Sequence, residues 1–280
     1  MVTTLTEPQR HRGTENEGER TALRLGVVSY LNAEPLVYGL AGDDRFRLER
    51  DLPSRVAEKL HQGESDLGMI PSIEYAFGDY AIVPGIAIGS RGPVRSVSLH
   101  HRVPLAGIRR VALDTSSRAS VALTKVLLHE TLGRHPEYVA LPPSLPEMLE
   151  QADAALMIGD PALYQETDVP RLDLGEEWGR RTGLPFVYAF WAGPRGVLAS
   201  GDVERLQHAL REGLLAIGRI AATYDGHGGG HERENEAYLR RNISYELGEE
   251  EKAGLREFYR RAHALSLIPR LPELQFHGES

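Results

Sequence analysis

The patterning of the chain predicts an α/β protein of two lobes with a cleft between them. Three observations carry this. Short apolar runs alternate with segments of helical period, which reads as parallel sheets with right-handed crossovers. The same order of strand, polar loop and helix occurs twice, at residues 25–40 and again at 110–132. Two apolar stretches without helical period, near 97–107 and 186–194, read as strands that leave the first unit and return to it. The second unit is therefore inserted in the first. Lobe 1 is expected over 22–100 plus 193–272 and lobe 2 over 101–192, with tails at 1–21 and 273–280.

Along the chain, the run 25–28 is a buried strand that stops at Ser29-Tyr30-Leu31-Asn32, and Glu34-Pro35 opens a short helix. Residues 46–52 mix apolar and polar positions, as a half-exposed strand does. Pro53 introduces a helix whose apolar face is Val56, Ala57 and Leu60, stopped by Gly63. A third strand, 65–70, ends at Pro71-Ser72, and 80–88 is strongly apolar and strand-like. Gly92-Pro93 is a turn, and the alternation from Val94 to Leu99 reads as the strand leaving the first unit, with 103–107 as a junction.

The second unit repeats the pattern: strand 110–113, polar loop 114–120, helix 121–132 and Gly133 as its stop. Strand 138–141, helix 145–151 and strand 154–158 follow. After residue 201 the pattern is helical: 202–222, 232–246 and 249–265, with 269–280 packing loosely or not at all.

The 280 residues, 41% hydrophobic and 26% charged, describe a globular protein of one large or two medium domains. A net charge of −8 argues against a nucleic-acid partner. With no cysteine, thiolate catalysis and cysteine-ligated metal sites are excluded. No run of about 18 apolar residues exists to cross a membrane, and residues 1–21 lack the apolar core of a signal peptide. The expected location is cytoplasmic, with a disordered N-terminal tail.

The candidate site residues stand in loops at strand ends, where α/β sheets bind ligands. Asn32 carries a donor and an acceptor, and is either a ligand contact or a helix N-cap. Thr115-Ser-Ser-Arg-Ala-Ser120 joins hydroxyls, helix-start N–H groups and a guanidinium, which together make an anion site. Its other reading is a plain N-cap with a solvent-facing Arg118. Asp160, after a buried strand, could hold a substrate hydroxyl, act as an acid or base, or cap the helix at Pro161. Ser72 and Tyr188 are further candidates, although a Tyr in an apolar strand is usually core. His227-Gly-Gly-Gly-His231 has no third ligand at a fixed offset, so it reads as a solvated loop and no metal is expected.

Taken together, several stretches resemble the MqnA-type chorismate dehydratases of the futalosine route to menaquinone. They are Ser29-Tyr-Leu-Asn-Ala-Glu-Pro-Leu36, Asp66-Leu-Gly-Met-Ile-Pro-Ser-Ile-Glu-Tyr75, Gly92-Pro-Val-Arg-Ser96, Thr115-Ser-Ser-Arg-Ala-Ser120, Ile158-Gly-Asp160 and Leu184-Pro-Phe-Val-Tyr188. The resemblance runs from about residue 23 to about 270. It implies a fold like the type II periplasmic binding proteins. It also implies dehydration of chorismate to 3-[(1-carboxyvinyl)oxy]benzoate without a cofactor. Carried over by position, Asn32 and Ser96 are the expected catalytic residues. Ser29, Tyr30, Ser72, Thr115, Ser116, Ser117, Arg118, Ala119, Ser120, Asp160 and Tyr188 are the expected substrate contacts. The family often carries another residue where this chain has Glu34, so Glu34 is given no catalytic role. The competing class is a non-catalytic binding protein of the same shape for a small carboxylate.

Overall fold

The computed structural model describes residues 22–226 and 228–279. The tail expected at 1–21, and His227, lie outside the described residues. The first sheet opens with β1 (Leu23–Val28), β2 (Phe46–Asp51), β3 (Leu67–Pro71), β4 (Tyr80–Ile82) and β5 (Gly85–Ser90). The second holds β6 (Val97–His101), β7 (Arg110–Leu113), β8 (Glu137–Ala140), β9 (Ala154–Ile158) and β10 (Arg171–Asp173). The chain then returns to the first sheet with β11 (Phe186–Pro194) and β12 (Ser244–Leu247). The order is β12-β5-β11-β3-β1-β2 in the first sheet, with β4 on β11, and β10-β6-β9-β7-β8 in the second.

β1 runs parallel to β2 and β3 and is buried along nearly its whole length, which is why it reads as a continuous apolar run. β2, at the sheet edge, is half-buried or exposed after Phe46, as its mixed composition requires. β11 pairs antiparallel with β3, β4 and β5. Its Gly193 passes so near the Asp66 carbonyl that a Cβ would stand 2.6 Å from the oxygen. The expected strand 80–88 is broken at Pro84-Gly85, where Gly85 takes a φ of 78°.

Hydrogen bonding moves both crossings between lobes earlier than the boundaries read from the sequence. All of β6 pairs within the second sheet, so the first crossing occupies residues 91–96 and not 100–101. All of β11 pairs within the first, so the return precedes Phe186 and not residue 193. The first crossing is held by Asp173, whose carboxylate accepts from Val94 N (3.0 Å) and Arg95 N (2.7 Å) and also caps the next helix.

The helices are α1 (Pro53–His61), α2 (Arg118–Leu132), α3 (Leu145–Gln151), α4 (Gly159–Leu163), α5 (Leu174–Thr182), α6 (Ser200–Leu215), α7 (Ile217–Thr223), α8 (Glu232–Arg241) and α9 (Glu249–Ala264). The return crossing is pinned by an aromatic cluster. Trp178 of α5 meets Phe186 and Phe258 edge-on at 5.3 and 6.2 Å, and its Nε1 donates to Pro185 O (3.2 Å). It is fully buried, so its truncation costs about 3–5 kcal/mol.

Two further expectations change. The helix expected over 232–246 ends at Arg241, and Ser244–Leu247 is β12, paired to β5. The expected C-terminal tail docks: Phe276 bridges Ile82, and both it and His277 are buried. Single contacts of this kind leave no periodicity in a sequence.

Candidate active site

A cavity lies where strand ends of the two lobes meet. From lobe 1 it is lined by Tyr30, Asn32, Pro71 and Tyr188, and from the crossing and lobe 2 by Ser96, Ser117, Ser120 and Gly159. Its volume is about 40 Å³. That is room for water but not for a six-membered ring, since an apolar cavity that takes benzene is roughly 150 Å³.

Past β1 the chain turns through Ser29 into a 3-10 turn, Leu31–Val37, whose N-cap is Tyr30. Asn32 is therefore inside the turn and its side chain is not the cap. Its Nδ2 donates to the Tyr238 hydroxyl (3.2 Å), which donates in turn to Ser96 Oγ (2.7 Å). Asn32 Oδ1 is buried with no partner among the described residues, a state that costs about 1–3 kcal/mol unless a ligand supplies a donor. Ser96 is fixed by its backbone: its N–H donates to Val94 O and its carbonyl accepts from Gly159 N, both 2.8 Å.

Opposite stands the start of α2. Ser117 is its N-cap, yet no side chain caps the first turn; Ser117 Oγ instead lies 3.1 Å from Ser120 Oγ. Uncapped N–H groups at the positive end of a 15-residue helix suit an anion. Tyr30 closes the side, its hydroxyl donating to Ser116 Oγ (3.2 Å). Its ring lies against Gly159, where a Cβ would stand 2.6 Å from it. Burial pushes the Tyr30 phenol up to about 12 and that of Tyr188 well above its ordinary value. Among the described residues that line the cavity none is Asp, Glu, His, Lys or Arg.

The menaquinone-biosynthesis family model matches residues 23–264. The chain belongs to that family. It is 34% identical over 264 residues to the chorismate dehydratase of Thermus thermophilus, covering 87% of this chain and 95% of the other. It is 29% identical over 174 residues to that of Campylobacter jejuni, covering 59% and 64%. Among solved structures, a protein of Archaeoglobus fulgidus superposes with a TM-score of 0.72 at 20% identity, covering 89% of this chain and 100% of the other. The aliphatic sulphonate binding protein SsuA of Escherichia coli gives 0.65 at 16%, covering 90% and 95%. These neighbours confirm the periplasmic-binding-protein-like fold.

In this member of the menaquinone-biosynthesis family, the cavity gathers Tyr30, Asn32, Ser96, Ser117, Ser120 and Tyr188. The other candidates lie elsewhere. Ser29 is exposed, in an outer groove with Glu34 and Tyr224. Ser72 Oγ donates to Val187 O (2.8 Å), inside the core. Thr115 and Ser116 line a second hollow of about 590 Å³ that shares Tyr30 with the cavity. Ala119 is fully buried.

Arg118 does not line the cavity, and its half-exposed side chain is paired rather than left to solvent. It reaches lobe 1, with Nη2 at 2.7 Å from Glu58 and Nη1 at 3.0 Å from Glu74. Asp160 is likewise a tie between lobes: it accepts from Leu31 N (3.2 Å) and from the Tyr224 hydroxyl. Of the two histidines weighed as metal ligands, His231 packs against Tyr164 with the rings tilted and their centroids 4.6 Å apart. Tyr238 escaped the sequence reading because α8 is mostly charged. Its signal was the spacing of Asn235, Tyr238 and Leu239, the buried positions of that helix.

Proposed function

We propose that the chain dehydrates chorismate to 3-[(1-carboxyvinyl)oxy]benzoate and water. On this reading it serves the futalosine route to menaquinone and works on a small-molecule substrate in the cytoplasm. Family membership and the 34% identity to a chorismate dehydratase support it. The structural observation that carries the chemistry is a cavity of hydroxyls, one amide and a bare helix start, without a lining acid or base.

Chorismate is a dianion with a ring carboxylate, an enolpyruvyl carboxylate and a hydroxyl. Loss of the ring proton beside the ether, together with that hydroxyl, aromatises the ring. The tyrosines at the cavity are too weakly acidic to be ionised, so the strongest base available is the substrate's own enolpyruvyl carboxylate. It takes the proton, hydroxide leaves, and the two combine as water. The start of α2, with Ser117 and Ser120, holds a carboxylate. Asn32 and Ser96 hold the reacting groups and assist the departing hydroxyl, so the protein chiefly orients and stabilises charge.

A cavity of about 40 Å³ means that substrate enters only after the lobes part. The ties that must open include Tyr30–Ser116, Ser54 N–Ser116 O, Leu31 N–Asp160 and Arg118 with Glu58 and Glu74. Incubation with chorismate, followed by the ultraviolet spectrum and chromatography, tests the proposal. Formation of the aromatic ether is expected. Chorismate bound but unchanged would instead identify a binding protein.

A further inference from the structure

We infer that Tyr238 is a positioning residue that sets the direction of the hydrogen bonds between Asn32 and Ser96. It leaves Asn32 to offer the cavity an acceptor and Ser96 to offer it a donor. This inference rests on the chorismate reading above.

A phenol has one proton. That of Tyr238 goes to Ser96 Oγ at 2.7 Å, and its oxygen accepts from Asn32 Nδ2 at 3.2 Å. Asn32 is thereby turned so that Oδ1, buried and without a partner among the described residues, is its unused end. Ser96 Oγ already accepts from Tyr238, so its own proton is free for a ligand in the cavity that Ser96 lines. The pair then matches a hydroxyl that both gives and takes a hydrogen bond. It gives to Asn32 Oδ1 and takes from Ser96. Donation by Ser96 strengthens as that hydroxyl departs as hydroxide, which is stabilisation specific to the transition state.

Tyr238 is held for this task. It is 1% exposed, and α8 is anchored in the turn before it. Asn235 accepts from the Tyr164 hydroxyl of lobe 2 (2.6 Å) and donates to Ala221 O (3.3 Å). Glu234 pairs with Arg95, the residue before Ser96. Burial also keeps the phenol protonated throughout the neutral range.

The test compares wild type, Tyr238→Phe, Ser96→Ala and the double variant in steady-state turnover of chorismate, with melting temperature measured alongside. Tyr238→Phe is expected to lower kcat about tenfold or more while KM changes less than about threefold. Added to Ser96→Ala, it should cost clearly less than it does alone, because the part of its effect that runs through Ser96 is already lost. If Tyr238→Phe does not fold, fluorinated tyrosines at 238 keep the shape and strengthen the donor. The inference then expects kcat to change steadily with phenol acidity. Unchanged kcat in Tyr238→Phe, fully additive losses, or no response to fluorination each overturn it. A wild-type protein that leaves chorismate unchanged overturns the chorismate reading itself, and this inference with it.

Discussion

Arg118 of α2 donates across the cleft to Glu74 of lobe 1, Nη1 to Oε2, at 3.0 Å. Glu74 is 4% exposed and also meets His61 Nε2 at 2.9 Å. The same guanidinium holds Glu58 at 2.7 Å, so one side chain clasps two carboxylates of the opposite lobe. Arg118→Ala is expected to weaken lobe closure. KM for chorismate should rise more than kcat falls, and stability should drop by roughly 1–2 kcal/mol, since the side chain is partly exposed. Arg118→Lys should restore little, because an ammonium lacks the fork that spans two acceptors. Steady-state kinetics and urea unfolding check both.

Gly159 separates a steric role from a conformational one. Its φ is 65° and the Tyr30 ring fills the place of a Cβ. Gly159→Ala should strain the backbone and push Tyr30 out of place, lowering kcat/KM about tenfold or more. Gly133 ends α2 with a φ of 62° and open space around it. Gly133→Ala should cost only the strain, about 1–2 kcal/mol, with turnover unchanged. Equal losses of activity in the two would discount the Tyr30 contact.

Asp160 distinguishes a protein acid or base from a substrate-assisted route. It is engaged by Leu31 N and Tyr224 and does not line the cavity. Asp160→Ala is expected to raise KM through looser closure while leaving measurable kcat. Asn32→Ala and Ser96→Ala should lower kcat by about 10²-fold or more, as loss of a donor at developing charge does. Abolition of turnover by Asp160→Ala alone, with chorismate binding intact by calorimetry, would defeat the substrate-assisted route.

His100 gives the chain an acid-sensitive core. It is fully buried in β6, with Nε2 at 3.0 Å from Ser98 Oγ and Nδ1 unpartnered among the described residues. Burial, aided by the Arg171 charge, lowers it from 6.5 to about 4. The unfolded chain therefore binds this proton more readily than the folded one. The stability it contributes is fully present above pH 6.5 and is lost as pH falls from 6.5 through about 4. His100→Gln keeps a partner for Ser98 and removes the titration. Its melting temperature should fall less than that of wild type between about pH 7 and pH 4.5, which covers most of the interval over which this proton binds the unfolded chain more readily.

The sequence made the strand–loop–helix corners legible because buried parallel strands are continuous apolar runs that stop abruptly. Asn32 and Ser120 could thus be placed at strand ends from spacing, and Ser96 by family resemblance. Two short edge strands were not legible: β10 (Arg-Leu-Asp) and β12 (Ser-Tyr-Glu-Leu) are three and four residues long and neither is an apolar run. Arg118 and Asp160 stand at helix starts of the right composition, yet their partners lie 44 and 129 residues away at Glu74 and Leu31. No local pattern records a partner at that distance.

The sequence by itself determined the class of fold and the family, because these follow from period, punctuation and a set of motifs carried along nearly the whole chain. The tertiary structure alone decided which motif residues face the cavity. The three-residue Ser96–Tyr238–Asn32 chain joins positions 142 and 206 residues apart, and only the return of the chain to the first sheet through β11, which sets α8 beside the turn after β1, brings them within hydrogen-bond distance.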